Sequence, residues 1–211
     1  MPTADHIRRH LGILRRRDEH IARAIAVAGM PNSRRITPGF ATLIRIIVDQ
    51  QVSVAAGASI WNKLSTAARD EVTPARLLKL GESGLRQCGF SGQKARYSLG
   101  VAEATRAGDL DFAALDALED DAVRTALTAL KGIGPWTADI YLMFGMGRPD
   151  VWPVGDLGLQ NSARALLGLR KRPSPERLEK IGADWSPYRS GAALLLWHYW
   201  HHLVDTAKAA K

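Results

Sequence analysis

The sequence predicts an all-α protein of two helical lobes, and three observations carry that prediction. A hydroxyl residue followed by proline recurs at Thr37-Pro38, Thr73-Pro74, Ser174-Pro175 and Ser186-Pro187, the pattern of an N-cap with proline at the first helical position. Apolar residues recur at helical spacing throughout, and no stretch alternates convincingly as a strand would. A tight Gly132-Ile133-Gly134-Pro135 turn joins two amphipathic segments as a helical hairpin.

Taken in order, residues 4–28 read as one or two helices that Pro31 ends. Thr37 is expected to cap a helix with Phe40, Leu43, Ile44, Ile47 and Val48 on its apolar face, ending near Asp49-Gln50-Gln51. Ser53 caps a small-residue helix whose alanines and glycine permit close contact. A short helix from Pro74, another around Leu85–Cys88, and a longer one capped by Ser91 and stopped by Gly108 follow. Phe112–Leu118 and Asp120–Leu130 lead into the hairpin. After Asp156 come helices over Leu157–Leu167, from Ser174-Pro175, and from Pro187 through Trp197 and Trp200, with Trp152, Trp197 and Trp200 read as core. The expected division is a central lobe of about 36–165, with the hairpin at 130–140, and a terminal lobe of 1–35 plus 166–211. The chain shows no repeat, low-complexity tract or accessory domain.

A chain of 211 residues with 46% hydrophobic content can bury one good core or two small ones. Neither a run of 18 apolar residues nor a signal-type N-terminus is present, so membrane insertion and secretion are unsupported and a cytoplasmic protein is expected. The lone Cys88 can form no internal disulfide and cannot hold a four-cysteine cluster, and no cofactor or metal is expected. His198 and His202 sit one turn apart without a third ligand nearby. The charge of 29 − 21 = +8 suits a polyanionic partner. The densest cluster, Arg8, Arg9, Arg15, Arg16 and Arg17, reads as a solvated helix face, and Arg170-Lys171-Arg172 as a surface loop.

The hairpin has two readings: a plain helix–helix turn, or a phosphate clamp in which backbone N–H groups at Gly134 and the next helix start face an anion. Asp156, after Gly155, is by residue type a helix N-cap, and that role can coexist with chemistry. Gln50-Gln51-Val52-Ser53 is by default an amide-rich turn that satisfies its own backbone.

The run Leu130-Lys131-Gly132-Ile133-Gly134-Pro135-Trp136-Thr137-Ala138, the loop with Gly147, Pro149, Pro153 and Gly155, and then Asp156 resemble the helix-hairpin-helix base-excision DNA glycosylases. The likeness is greatest to the alkylation-repair branch, the 3-methyladenine DNA glycosylase II type, and extends through Phe40–Leu64 and Trp185–His198. It implies two helical lobes flanking a cleft at Asp156 around a central helix-hairpin-helix motif. It implies a monofunctional enzyme that flips a nucleotide and hydrolyses the N-glycosidic bond of 3-methyladenine or 7-methylguanine.

Asp156 then matches the catalytic aspartate, while Asp139 belongs to the hairpin helix and Asp150 braces the loop. Trp136 stands where strand-cutting relatives place a Schiff-base lysine, so lyase chemistry is not expected. Trp136 and Tyr188 match base-pocket aromatics, and Ile140 stands where a tyrosine can occur. Gln51 matches the side chain that fills the gap left by the flipped nucleotide, a place where relatives can put an apolar wedge. Gln50, Ser53, Gly92, Lys94, Gly132, Gly134 and Thr137 fall in the turns that meet DNA in this family, although an ordinary interhelix loop suits Gly89–Ala95 equally. The implied partner is double-stranded DNA with damaged bases, bound by a monomer associated with the nucleoid. A uracil or mismatched-thymine glycosylase of the same fold, or a non-catalytic DNA-binding module, remain as alternatives.

Overall fold

The computed structural model describes residues 4–32 and 37–209, the side chains of Ala4 and Asp5 excepted. Helices α1 (Ala4–Arg17), α2 (Glu19–Ala28), α3 (Phe40–Asp49), α4 (Val54–Ala67), α5 (Pro74–Gln87) and α6 (Gly92–Ala107) make up the first half. Helices α7 (Phe112–Leu115), α8 (Asp120–Thr128), α9 (Pro135–Ile140), α10 (Leu157–Leu166), α11 (Pro175–Gly182) and α12 (Arg189–Ala209) complete the chain. The fold is all-α, with no strand among the described residues.

Local sequence sets most helix starts. Side-chain oxygens of Asp18, Ser53, Thr73, Ser91, Asp111, Asp156 and Ser174 accept from N–H groups in the first turns of their helices. Each such cap contributes about 0.5–2 kcal/mol. Two expected caps are different. Helix α3 begins at Phe40 with Gly39 at its N-cap, whose N–H donates to the Tyr141 hydroxyl, so a tertiary contact replaces the Thr37 cap. Helix α12 begins at Arg189 rather than Pro187, because the Ser186 hydroxyl donates to Asp150 instead of capping. Helix α5 bends at Gly81 (φ 64°), which is why the sequence there reads as two short helices. After α9 the chain winds as a π-turn over Tyr141–Gly145, which the sequence pattern does not announce.

Contacts gather the chain into two compact units, Met1–Arg35 with Gly147–Lys211, and Ile36–Met146. The first junction lies among residues 33–36, outside the described residues. The second falls at Gly147 instead of the expected 165/166, because α10 packs on α12 and α11.

In the terminal unit α1, α2, α10 and α12 bury Leu11, Leu14, Ile21, Leu159, Leu195 and Leu196. Burying a side chain of that size contributes about 1.5–3 kcal/mol. Asp18 caps α2 through one oxygen and accepts the Trp185 indole N–H on the other at 2.8 Å. Trp152 is buried, stacks edge-on to Trp185 and donates to the Leu178 carbonyl at 2.9 Å. Trp197 and Trp200 are half-buried rather than core. Among the described residues no helix is long and apolar enough to cross a membrane.

In the central unit α3 runs through the middle, against α4, α6 and α9. Leu43, Ile44 and Ile47 on α3 are fully buried, as are Leu64, Leu77 and Leu127 around them. Phe40, Phe112 and Tyr141 form an aromatic cluster, with ring centroids 6.5 and 5.9 Å apart. Burial pushes the Tyr141 phenol up to about 12, so its hydroxyl stays neutral.

Candidate active site and nucleic-acid interface

In the terminal unit Asp156 caps α10, its Oδ1 accepting the Leu159 N–H at 2.6 Å and the Trp197 indole N–H at 2.8 Å. One carboxylate oxygen held by two donors fixes the orientation of a half-buried charge. Trp197, read from the sequence as a core residue, is the partner of Asp156 that sequence reasoning missed; an aromatic on an apolar helix carries no local signal of its partner.

The loop that delivers Asp156 is itself fastened. Arg189 Nε and Nη2 meet the two Asp150 oxygens at 2.9 Å each, and the Arg189 backbone N–H adds a third bond at 3.1 Å. Ser186 donates to Asp150 Oδ2 at 2.9 Å. Burial pushes the Asp150 carboxyl up, but the Arg189 and Ser186 hydrogen bonds outweigh it and hold it below its ordinary value. The Ser190 hydroxyl donates to the Arg148 carbonyl at 2.7 Å and accepts the Val151 N–H at 2.9 Å. On the other flank, Gln160 Nε2 donates to the Val154 carbonyl at 2.7 Å. Asp150 is a structural brace, and Asp139 lies apart from this loop in sequence and in unit, 2.8 Å from Arg124 Nε beside the hairpin. Tyr188 is half-buried and its ring lies 4.5 Å from that of His10, tilted by 31°; burial is the first cause that lowers the His10 pKa, ahead of the charges of His6 and Arg9.

In the central unit α8, a tight turn and α9 form the hairpin. Gly132 has φ +90°, and a Cβ there would lie 2.0 Å from the Tyr97 ring, so backbone conformation and space both demand glycine. Gly134 is different: its φ is −94° and a Cβ would meet nothing within 4 Å. The protein itself does not require that glycine. Gln50 Nε2 donates to the Gly132 carbonyl at 3.3 Å and to Thr137 Oγ1 at 2.9 Å, so Gln50 and the buried Thr137 hydroxyl hold the hairpin from inside. Trp136 is half-buried, Ile140 is 8% exposed, and Ile133 fills the turn from beneath.

Gln51 is exposed at the tip of the α3–α4 turn with φ +52°, flanked by exposed Val52 and Val54. The Ser53 hydroxyl accepts the Ala56 N–H at 3.2 Å. Gly92 opens α6 near Arg86 and Arg96, and Arg96 pairs with Glu82. Lys94, expected to meet a phosphate, donates here to the carbonyls of Val48 (2.8 Å) and Gln50 (2.6 Å).

The basic residues of α1 and of the loop at 170–172 are exposed. Cys88 is buried, and burial raises its thiol pKa against the pull of Lys63, which leaves it a poor nucleophile. His198 hydrogen-bonds the Ala28 carbonyl at 2.7 Å, and no group of three or more metal-ligating side chains occurs among the described residues.

Known proteins match this chain over most of its length. Residues 44–187 fit the family model described as the HhH-GPD superfamily base excision DNA repair protein. The Bacillus subtilis protein YfjP is 29% identical over 74% of this chain, which spans 56% of that relative's length. DNA-3-methyladenine glycosylase 1 of Schizosaccharomyces pombe is 31% identical over 85% of this chain and 82% of its own. The solved structure of Schizosaccharomyces pombe 3-methyladenine DNA glycosylase Mag1 in complex with abasic DNA superposes with a TM-score of 0.84 at 29% identity, covering 90% of this chain and 95% of that one. With the hairpin, the braced loop and more than half of its length accounted for in this way, the chain belongs to the HhH-GPD superfamily of base excision DNA repair proteins.

Proposed function

We propose that this protein is a monofunctional DNA glycosylase that hydrolyses the N-glycosidic bond of alkylated purines, 3-methyladenine and 7-methylguanine, in damaged duplex DNA. The observation that carries the reading is Asp156, held through one oxygen by the Leu159 and Trp197 N–H groups in a loop fastened by Asp150–Arg189. A carboxylate with fixed orientation stabilises the positive charge that develops on the sugar as the base departs, without reorganising at that moment. The same carboxylate orients the attacking water or takes its proton. Relatives named as 3-methyladenine DNA glycosylases support the alkylpurine choice.

Base removal from a duplex requires the nucleotide to leave the stack. Gln51, exposed at a turn tip in a left-handed conformation, suits the role of filling the vacated space. Trp136, half-buried beside the apolar Ile140, suits the face of a flat base. Gly134 and the first turn of α9 offer backbone N–H groups to phosphate, and Gly92 and Ser53 stand in turns of the same kind. Trp136 in place of a lysine supports hydrolysis without strand cleavage, the protein acting as a monomer on chromosomal DNA.

The test is base release from methylated and deaminated duplexes. Free 3-methyladenine and 7-methylguanine, with the strand intact until alkali is added and no borohydride-trapped adduct, is the expected result. DNA binding with no base release would leave a non-catalytic module; uracil as the best substrate would favour the deaminated-base enzymes of this fold.

A further inference from the structure

The last carbonyls of a helix have no intrahelical donor and need one from elsewhere. At the end of α3 that donor is the Lys94 ammonium, 2.8 Å from the Val48 carbonyl and 2.6 Å from that of Gln50. Burial lowers its pKa from the ordinary value, while the charge of Asp49 opposes the shift. Asp49 Oδ2 takes the Arg45 Nε–H at 2.8 Å, and its Oδ1 is buried without a hydrogen-bond partner, packed where Gly57 has no side chain. The cation thus sits at the negative end of a helix beside an incompletely satisfied carboxylate. Two of its three protons are spent on backbone.

One residue beyond the second of these carbonyls, Gln51 adopts φ +52°, a region that non-glycine residues occupy only when their surroundings impose it. The Gln50 side chain meanwhile reaches Gly132 and Thr137 in the hairpin. Three residues along α6 from Lys94, on the same helix face, the Tyr97 ring lies against Gly132. A single face of α6 therefore braces both turns.

We propose that Lys94 is a positioning residue: it clamps the end of α3 so that Gln51 is presented in its left-handed conformation and in fixed register with the hairpin, and it is not a phosphate contact. This rests on the glycosylase reading above. Gln51 is the group that acts on DNA, and Lys94 acts through it.

Lys94→Met and Lys94→Arg separate the two roles, with 2-aminopurine beside the lesion reporting nucleotide extrusion. Arginine serves a phosphate as well as lysine does, but its planar fork cannot reproduce a point ammonium shared by two carbonyls. Both variants are expected to keep the wild-type affinity for undamaged duplex and its salt slope. Both should lose the fluorescence rise, and excision at saturating enzyme should fall by about a hundredfold, the cost of a misplacement near 1 Å. A salt slope lowered by about one in Lys94→Met, restored in Lys94→Arg together with excision, would make Lys94 a phosphate contact and overturn the proposal. Wild-type extrusion in either folded variant would also overturn it, so Lys94→Arg decides if the methionine variant fails to fold. Fluorescence is read whether or not a base is released, so a wild-type protein that excises nothing sinks the glycosylase reading and leaves the Lys94 result standing.

Discussion

The indole Nε1 of Trp197 lies 2.8 Å from Oδ1 of Asp156, a contact between residues 41 positions apart. It makes the aspartate part of two structures at once, the cap of α10 and the inward face of α12. Asp156→Asn should keep the fold, because asparagine caps helices as well as aspartate does. Excision should fall by about a hundredfold or more, with DNA affinity retained, since only the charge is removed. Trp197→Phe should cost less, up to about a hundredfold in single-turnover rate, through lost orientation. Asp156→Asn turning over at the wild-type rate would remove Asp156 from the chemistry, and Trp197→Phe doing so would show that the indole is not needed to orient it.

The two hairpin glycines should separate folding from binding. Gly132→Ala drives a methyl into the Tyr97 ring at a φ of +90°, and thermal melting should show a loss of about 1–3 kcal/mol or more. Gly134→Ala adds a methyl where nothing lies within 4 Å, so the melting temperature should hardly move. Its affinity for damaged and undamaged duplexes should fall alike, because phosphate contacts carry no base information. Weakening confined to one lesion would place Gly134 at the base instead.

Asp150 predicts an acid-dependent contribution to stability. Its folded pKa lies below the ordinary value of 3.8, so the unfolded chain takes up a proton first as pH falls. The contribution is complete above about pH 4 and is lost as pH drops through the folded value. Asp150→Asn should therefore be less stable than wild type at pH 7, and the gap should narrow toward pH 2. Denaturant melts across that range measure it; a gap independent of pH would mean that packing, not the ion pair with Arg189, holds the loop.

Substrate preference should follow charge. Methylated purines such as 3-methyladenine and 7-methylguanine are cationic, and on the proposed reading a stack on Trp136 would add cation–π attraction of about 0.5–2 kcal/mol. Competition assays should show them released well ahead of uracil or hypoxanthine. Trp136→Ala should lower excision of the charged bases more than that of neutral ones. Equal losses would show that the ring contributes shape alone.

Sequence alone determined the class of fold, most helix starts and the hairpin, because caps and turns are local: Ser53, Thr73, Ser91, Asp156 and Ser174 each bond a backbone N–H three residues on. The resemblance that named the family rested on one contiguous run, from Leu130 to Asp156. Tertiary structure decided what those residues lean on. Gln50 reaches Thr137 across 87 positions, Lys94 reaches Val48 across 46, and Arg189 reaches Asp150 across 39. It also moved the junction between units to Gly147, by packing α10 against α12, and gave Gly39 a tyrosine partner where the sequence offered a threonine cap. Such pairs leave no periodic trace: a donor and an acceptor on different helices meet only after the apolar faces have chosen their neighbours.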